Sequence, residues 1–378
     1  MKKLSRKEVS ELPIAIVYDR VNKFGGAERV LLALREAFPN SVLYTSVFAP
    51  QAASCVGNWR IGTSFLQKIP YFRTRHEQAA LLMSLAFETL ELSAFPIVIS
   101  VTSEFAKSVV TRTDQLHVCY CLTPTRYLWS HTHLYAGKHL RWLRQFIFSS
   151  LRSIDVIAAS RPDYYIAISN LIASRIQKFY RRPVHSVIYP PVAMNDVSAT
   201  KLNRSYFLVV SRLVEYKRIE IAIEACILAN VPLVIVGTGN DKERLQTIAN
   251  GNSLISFKEF VSEHELADYY SQAYALLCPQ EEDFGIVSVE AQLSGTPVVT
   301  YSRSGVAETV IHKKTGLLVQ DQTATAFAEA IQKVGNIEWN HEVIREHAQK
   351  FSKDVFIASF QETISKLYHN CLNRDGVE

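Results

Sequence analysis

Short apolar runs alternate with amphipathic helical segments along most of the chain, and the alternation forms two successive blocks. The first block contains six runs that predict strands, at residues 14–18, 41–48, 97–101, 118–121, 164–169 and 185–189. The second block contains six more, at residues 206–210, 233–236, 254–257, 275–278, 298–301 and 317–319. Such runs are typical of strands that are buried on both faces of a parallel sheet. The pattern therefore predicts an α/β fold of two facing Rossmann-like, doubly wound domains with an interdomain cleft.

A polar stretch without periodicity, residues 192–204, separates the two blocks and is the predicted linker. We place the first domain at residues 1–193 and the second at 194–352, followed by a tail with helical spacing at 353–378. The chain has 378 residues, of which 48% are hydrophobic, so it can fill two ordinary domain cores.

The two halves of the chain differ in charge, although the net charge is only +5. Residues 1–193 contain 24 Lys and Arg against 12 Asp and Glu, whereas the remaining residues contain 17 against 24. An anionic surface or substrate that meets the first half would explain this asymmetry, and solvated charge without a partner explains it equally well.

Cysteine usage and hydropathy indicate the compartment. The six cysteines are scattered, which favours a reduced, cytosolic protein over a disulfide scaffold. No apolar run approaches the length of a membrane span, and the N-terminus lacks the apolar core of a signal peptide. We expect a cytoplasmic protein that can also lie peripherally on the cytoplasmic face of the inner membrane.

Residues 60–92 read as a polar loop followed by a helix, and they mix basic with aromatic side chains. Such a mixture can seat on a lipid headgroup layer. It can equally cover a core, because long basic side chains routinely pack over apolar surface. The sequence leaves both alternatives open.

Residues 281–300, with the sequence EEDFGIVSVEAQLSGTPVVT, carry two carboxylates around a predicted strand-to-helix turn. Glu282 lies in the turn, and Glu290, a little over two helical turns further on, points from the helix. Gly285 allows the backbone to approach a ligand closely, and the N–H groups at the helix start would face an anion. The stretch predicts a diphosphate at the helix N-terminus, with carboxylates binding hydroxyl groups nearby.

Four further loops follow predicted strands, where residues beyond the carboxyl ends of parallel strands line a crevice. The first contains Gly25 and Gly26, which taken alone are more often just a tight turn. The others are residues 122–129, the turn with Arg212 and Lys217, and the loop with Gly237 and Gly239. The glycines lack the spacing of a dinucleotide fingerprint or a P-loop.

Together these features resemble the retaining nucleotide-sugar glycosyltransferases of the GT-B type, in group 1 and family 4. The resemblance rests on Gly25–Glu28 (GGAE), the Arg212 and Lys217 turn, the Gly237 and Gly239 loop, and Glu282 with Glu290. Residues 120–129, YCLTPTRYLW, resemble the branch found in polysaccharide and O-antigen assembly, much of which uses GDP-mannose. The resemblance spans nearly the whole chain and implies that the tail helix crosses back to the first domain.

The resemblance also implies roles on the donor side. Arg212 and Lys217 would contact the donor diphosphate and Glu282 the donor sugar hydroxyls, which makes these three the implied catalytic residues. Glu290 would hold the ribose hydroxyls. The other implied donor contacts are Gly26, Gly237, Gly239, Phe257, Lys258 and the backbone at Phe284, Gly285 and Ile286. No metal and no cofactor are expected, because cationic side chains and the helix N-terminus would neutralise the diphosphate.

On the acceptor side, the implied partner is a saccharide or a lipid-linked saccharide, with no nucleic acid. The acceptor-side candidates are Gly25, Glu28, Leu122, Thr123, Pro124, Arg126 and Tyr127. Glu28 could instead act as an acidic first-turn residue that stabilises its helix.

Two positions depart from the family pattern. Leu122 stands where many relatives have a histidine that approaches the donor sugar and the acceptor, and leucine can neither donate nor accept a proton. Lys258 and Glu259 replace a Leu-Gly pair that lies near the nucleotide base in relatives. The first departure keeps open an impaired binding or scaffold subunit, and a nucleotide-sugar epimerase or a phosphorylase of the same fold is a further alternative.

Overall fold

A computed structural model describes residues 4–22, 25–49, 56–74, 79–130, 141–192, 204–259 and 261–374 of the chain. Its contacts divide the chain into two compact units. The first unit comprises Met1–Pro191 together with Asp354–Glu378, and the second comprises Val192–Lys353. Most of the predicted linker, residues 193–203, lies outside the described residues.

The first unit contains a sheet of seven parallel strands in the order β3-β2-β1-β4-β5-β6-β7. The strands are β1 (Ile14–Tyr18), β2 (Val42–Thr45), β3 (Ile61–Thr63), β4 (Ile97–Thr102), β5 (Leu116–Cys121), β6 (Tyr164–Ala167) and β7 (Ser186–Val187). Its helices are α1 (Arg6–Ser10), α2 (Gly26–Ala37), α3 (Pro70–Thr74), α4 (Ala80–Glu88), α5 (Arg126–Trp129), α6 (Arg141–Ala159) and α7 (Asn170–Tyr180).

The second unit contains a sheet of six parallel strands in the order β10-β9-β8-β11-β12-β13. The strands are β8 (Tyr206–Val210), β9 (Leu233–Val236), β10 (Ile255–Lys258), β11 (Ala273–Cys278), β12 (Val298–Tyr301) and β13 (Gly316–Val319). Its helices are α8 (Ile219–Ala229), α9 (Lys242–Ala249), α10 (Glu263–Ser271), α11 (Ile286–Leu293), α12 (Ala324–Val334) and α13 (His341–Ala348).

Both sheets reverse their strand order at one point. In the first sheet the reversal lies between β1 and β4, and in the second it lies between β8 and β11. Ligands of open α/β sheets bind outside the carboxyl ends of the strands at this reversal, which is called the switch point. The two switch points therefore locate the candidate sites.

Alternating side chains bury the second sheet on both faces. Phe207 and Val209 of β8 pack into one apolar cluster with Phe327 of α12. Leu208 packs into a different cluster with Ala291 of α11. This two-sided burial explains why the strands read as continuous apolar runs.

A long C-terminal helix, α14 (Lys353–Arg374), packs on the first unit. The ring of Phe360 lies 5.3 Å from the ring of Tyr120 in β5 and 6.3 Å from that of Phe38. The Gln361 side-chain amide donates a 2.7 Å hydrogen bond to the carbonyl of Ala37. These contacts fix the helix to the sheet and to the end of α2.

All twelve predicted strands are present, with end shifts of up to three residues, but one strand and three helices were missed. The strand β3 lies where a polar loop was expected, and its Gly62 brings it against Tyr44, since a Cβ there would lie 2.5 Å from that ring. The three helices that were missed are α1, α5 and α13. The predicted helix at 131–153 overlaps α6, and its first ten residues lie outside the described residues. Among the helices that the structure describes, none is both long and apolar enough to cross a bilayer.

Candidate functional site

An ion pair spans the switch point of the second sheet. Lys217 follows β8, Glu282 follows β11, and the Lys217 Nζ contacts the Glu282 Oε1. Only 11% of the Lys217 side chain and 16% of the Glu282 side chain are exposed. The site thus pairs a cation with a carboxylate at the place where this fold binds ligands.

Three neighbours fix Glu282. The Gln280 side-chain amide donates to Glu282 Oε1 over 3.3 Å, and the Glu282 backbone N–H donates to Ser304 Oγ over 3.0 Å. The N–H of Gly305 donates to the Glu282 carbonyl over 2.8 Å. A Cβ on Gly305 would lie only 2.3 Å from the Asp283 carbonyl oxygen, so the two loops pack backbone to backbone. Contacts within the protein therefore fix both the loop backbone and the side chain of Glu282.

A tyrosine links the two cations that the sequence predicts at the diphosphate. The exposed guanidinium of Arg212 donates a 2.7 Å hydrogen bond to the hydroxyl of Tyr216. The Lys217 Nζ lies 5.4 Å from the centre of the Tyr216 ring, within cation–π range. Arg212 and Lys217 thus contact the same tyrosine, one at its hydroxyl and the other over its ring.

Helix α11 begins beside Glu282. Gly285 is its N-cap, with φ of +92°, and a Cβ there would lie 2.4 Å from Val306 Cγ2. Gly285 has no side chain to cap this end, so the N–H groups of Ile286 and Val287 point out of the helix N-terminus, whereas that of Ser288 donates to the Gly285 carbonyl over 3.0 Å. Phe284 is buried against Phe351, so it can offer a ligand only its backbone. The start of α11 is where the sequence predicts an anion site.

Glu290 lies half-buried on α11, about one turn from the helix start. The hydroxyl of Tyr270 donates a 2.9 Å hydrogen bond to its Oε2. The carboxylate is therefore oriented by a neighbouring side chain, as a hydroxyl-binding group would be, and is not a freely solvated helix glutamate.

Gly237 and Gly239 pack the loop after β9 against the loop after β8. A Cβ would lie 1.9 Å from the Ser211 carbonyl oxygen at Gly237 and 2.0 Å from that of Leu213 at Gly239. The structure thus gives these glycines a packing function, in addition to the donor contact that the resemblance implies.

Phe257 and Lys258 lie in the edge strand β10. The half-buried Phe257 packs against the core, and the carbonyl of Lys258 accepts a 2.8 Å hydrogen bond from the N–H of Gly237. The neighbouring residue 260 lies outside the described residues. Lys258 therefore supports the glycine loop through its backbone.

In the first unit, the predicted glycine loop follows β1. Gly25 is the N-cap of α2, and Gly26 begins the helix. Glu28 is buried, and its Oε1 accepts a 3.0 Å hydrogen bond from the Tyr18 hydroxyl. Its Oε2 would lie 3.4 Å from a Cβ on Gly25, so the carboxylate lies beneath the loop.

The predicted acceptor-side loop follows β5. Leu122 is half-buried and donates its N–H to the Thr102 carbonyl over 2.8 Å. Thr123 and Pro124 are buried, whereas Arg126 and Tyr127 are half-buried at the start of α5. Burial, followed by the Glu104 and Asp155 carboxylates, raises the pKa of the Tyr127 hydroxyl, so this group stays protonated.

A buried carboxylate that the sequence analysis did not single out holds this loop. Asp155 of α6 accepts hydrogen bonds from Thr125 Oγ1 (3.0 Å), Trp129 Nε1 (2.7 Å) and the Tyr180 hydroxyl (2.9 Å). The Lys107 Nζ pairs with it at 2.7 Å, and both side chains are almost completely buried. A polar network inside the fold therefore fixes the loop backbone.

Of the histidines near this loop in sequence, His117 lies among the described residues. His117 is buried in β5 and lies 2.9 Å from Ser100 Oγ through its Nε2. Burial and the nearby Arg161 lower the pKa of His117 to about 3, so it is a neutral core residue. His131 and His133 lie outside the described residues.

The fold and the site geometry can now be compared with known proteins. Residues 194–370 match the family described as "Glycosyl transferases group 1". This segment contains Arg212, Lys217, Glu282 and Glu290, together with all of the described second sheet.

A curated relative is the D-rhamnosyltransferase WbpZ of Pseudomonas aeruginosa. It is 26% identical over 217 residues, which cover 53% of this chain and 54% of the relative. The alignment thus spans about half the length of that protein.

Solved structures are similar over nearly the whole chain. Sucrose-phosphate synthase from Thermosynechococcus elongatus has a TM-score of 0.68 at 19% identity, covering 95% of this chain and all of that one. Alr3699/HepE of Anabaena in complex with UDP-glucose has a TM-score of 0.67 at 18% identity, covering 94% and 100%. These likenesses confirm the predicted α/β fold with two doubly wound domains, as in GT-B glycosyltransferases.

Proposed function

We propose that the protein is a retaining glycosyltransferase that moves a hexose from a nucleotide sugar to a saccharide or a lipid-linked saccharide. The observation that carries this proposal is the Lys217–Glu282 pair at the switch point of the second sheet, beside the uncapped start of α11. The family match over residues 194–370 supports it. The reaction would serve cell-surface polysaccharide synthesis in the cytoplasm, as the resemblance implies.

In the transfer, the bond between the sugar and the diphosphate breaks, and the nucleoside diphosphate leaves with additional negative charge. Lys217, Arg212 and the first N–H groups of α11 would stabilise that charge, which is greatest in the transition state. Glu282 would bind hydroxyl groups of the sugar, and Glu290 the ribose. The departing phosphate would take the proton of the acceptor hydroxyl, so a side chain at Leu122 would not be needed as a base.

The donor is proposed to be GDP-mannose. The sequence YCLTPTRYLW resembles a branch that uses this donor. The relative from Pseudomonas aeruginosa is a D-rhamnosyltransferase, and D-rhamnose is a deoxy derivative of mannose. The Anabaena structure contains UDP-glucose, so UDP sugars are the donors to compare.

The test incubates the protein with GDP-mannose, GDP-D-rhamnose, UDP-glucose and UDP-N-acetylglucosamine, and measures release of the nucleoside diphosphate. Turnover of a donor that Glu282→Ala abolishes would support the proposal, and unchanged turnover in EDTA would support metal independence. An enzyme that neither turns over any donor nor binds GDP or UDP would contradict it.

The alternative of an impaired scaffold subunit is motivated by Leu122, which offers no proton donor or acceptor. It predicts that wild type binds a nucleoside diphosphate but releases none from any donor. It also predicts that cells carrying Glu282→Ala keep their surface polysaccharide, because scaffolding needs no donor chemistry.

Replacing Glu290 with alanine is expected to raise the KM for the donor about 10- to 100-fold. The substitution removes the carboxylate that is proposed to accept hydrogen bonds from the two ribose hydroxyls. The value of kcat should change less, since the ribose lies away from the bond that breaks. Steady-state kinetics measure both. Glu342→Ala, on the exposed surface of α13, is the control. An unchanged donor KM in Glu290→Ala would remove Glu290 from the site.

Membrane association is a separate proposal that rests on the basic–aromatic segment, residues 68–73. Phe72 packs toward the core, whereas Tyr71 is 47% exposed and Lys68 and Arg73 are exposed beside it. Phe72 thus covers the core, while the exposed side chains leave the membrane alternative open. A surface of this kind can lie in a headgroup layer.

The double variant Lys68→Glu/Arg73→Glu is expected to weaken binding to anionic phosphatidylglycerol vesicles at least about tenfold, because each basic residue near such a surface contributes ~1 kcal/mol. Wild-type binding should fall as salt is raised. Vesicle sedimentation measures both effects, with Lys366→Glu as an exposed control in the same unit. Equal binding to neutral and anionic vesicles would contradict the proposal.

A further inference from the structure

The two sheets share one topology at their switch points. In each, the first strand of the unit lies beside the fourth, as β1 beside β4 and β8 beside β11. The Lys217–Glu282 pair joins the loops that follow β8 and β11. The corresponding place in the first unit joins the loops that follow β1 and β4.

An ion pair occupies that corresponding place as well. Arg20 comes two residues after β1, Glu104 comes two residues after β4, and Arg20 Nη1 lies 2.6 Å from Glu104 Oε1. Their side chains are 19% and 18% exposed, so both remain reachable. The sequence analysis singled out neither residue, because each is a lone charge in a loop.

Asp19 fixes the backbone that carries Glu104. This buried carboxylate accepts hydrogen bonds from four consecutive backbone N–H groups, those of Ser103, Glu104, Phe105 and Ala106, at 2.6–2.9 Å. A carboxylate so placed holds the loop as an N-cap holds a helix. The backbone of Glu104 therefore has a fixed position at the switch point of the first sheet.

The loop of Glu104 adjoins the predicted acceptor-side loop. Thr125 Oγ1 donates to the Glu104 carbonyl over 3.3 Å, and the Glu104 carboxylate contributes to the raised pKa of the Tyr127 hydroxyl. Leu122 lies on the same edge of the sheet, after β5. Glu104 thus supplies a polar side chain to an edge where Leu122 supplies none.

The electrostatics suit a group that takes part in binding. Burial raises the pKa of the Glu104 carboxyl, the Arg20 guanidinium opposes this shift, and Asp19 adds to it. Arg20 thus favours the ionised form in a half-buried setting. An ionised carboxylate forms strong, charge-assisted hydrogen bonds with hydroxyl groups.

We propose that Glu104, held by Arg20, binds a hydroxyl group of the saccharide acceptor. The inference rests on the proposed glycosyltransferase function and names a residue of its acceptor side. Glu104 acts here by accepting a hydrogen bond, and no bond to it forms or breaks. Arg20 is a positioning residue, because it acts through Glu104.

The experiment measures binding of octyl glycosides of mannose, glucose and N-acetylglucosamine by saturation-transfer NMR, without donor. Glu104→Gln should weaken the binding of the preferred glycoside about 10- to 100-fold, as expected for loss of a charge-assisted hydrogen bond. Its affinity for GDP and UDP should stay within about twofold, since these contact the second unit. Arg20→Lys should weaken glycoside binding less than Glu104→Gln does, because lysine keeps the positive charge but lacks the planar guanidinium group.

Glu88→Gln is the matched control. Glu88 forms a comparable half-buried pair with Arg161 at 2.7 Å, and it ends α4 before β4 begins, away from the carboxyl edge. Its glycoside binding should equal that of wild type. If Glu104→Gln does not fold, as thermal melting would show, Arg20→Lys provides the readout.

The outcomes separate this inference from the function on which it rests. Glycoside binding that is equal in wild type and Glu104→Gln, including no binding to either, overturns the inference. Donor hydrolysis in water reports the donor side by itself. The absence of both donor turnover and binding of GDP or UDP would overturn the proposed function, while a Glu104-dependent saccharide site would still stand.

Discussion

Replacing Lys217 with methionine is expected to lower kcat for transfer about 100- to 1000-fold, the cost of removing one preorganised charge from a developing anion. Lys217 is buried against Glu282, and Arg212 is exposed and bonded to Tyr216. The buried cation acts in a poorly solvated setting, where a charge has its greatest effect. Single-turnover measurements of donor cleavage would give the rate of the chemical step.

The control for this variant is Lys333→Met, which removes an exposed lysine from α12 that lies 3.9 Å from Glu329. That enzyme should keep the wild-type rate. A Lys217→Met enzyme whose single-turnover rate stays within about threefold of wild type would show that the charge of Lys217 is not used in the transition state.

A double variant tests whether Lys217 and Glu282 act together. Because they are in contact, the effects of Lys217→Met and Glu282→Gln should not add. The double variant should be only slightly slower than the slower single variant. Additive losses would indicate that the donor separates the pair and engages each residue independently.

The fold could be predicted from the sequence because the same pattern, a short apolar run followed by an amphipathic helical segment, is repeated along the chain. Runs such as 14–18 and 233–236 are apolar throughout, as expected of a strand that is buried on both faces. The strand β3 was missed because it is three residues long and centres on Gly62, which packs against Tyr44 where a side chain would normally lie. Such a strand forms only through tertiary contacts, so the local sequence shows no strand pattern.

The donor-side geometry was predictable for a similar reason. Gly285 after a short loop indicated a helix start, and the structure gives it a positive φ and the N-cap of α11. The placement of Glu282 and Glu290 followed from that start. The partners Tyr216, Gln280 and Ser304 did not, because a tyrosine, a glutamine and a serine in loops carry no spacing signal and acquire a role only through the fold.

The acceptor side was the least predictable part. Asp155 comes from α6, whereas Lys107 and Glu104 both come from the stretch after β4, and each reads alone as an ordinary surface charge. Their importance arises because the order of the strands brings these segments to one edge of the sheet. Contacts between residues that are far apart in sequence depend on the topology of the fold. A single sequence shows that topology only indirectly.

Replacing Lys107 with methionine is expected to destabilise the first unit by about 3–5 kcal/mol, because it leaves the Asp155 carboxylate buried without a cation. Burial opposes the charge of Lys107, but Asp155 raises the pKa of the Lys107 ammonium group above its ordinary value, so Lys107 is charged at neutral pH. The midpoint of thermal unfolding should fall by about 10 °C. Lys366→Ala, whose exposed pair with Glu362 spans one helical turn, should shift it by about 1–2 °C at most.

A second substitution separates lost charge pairing from lost packing. Lys107→Met/Asp155→Asn removes the buried charge while keeping a group that can accept from Thr125 or Trp129, so it should regain part of the stability. No recovery would contradict the proposed cause. The same network joins Thr125 and Trp129 to Asp155, so the recovered variant should also bind octyl glycosides more tightly than Lys107→Met. Stability and acceptor binding would then change together, because one buried carboxylate holds the loop on which both depend.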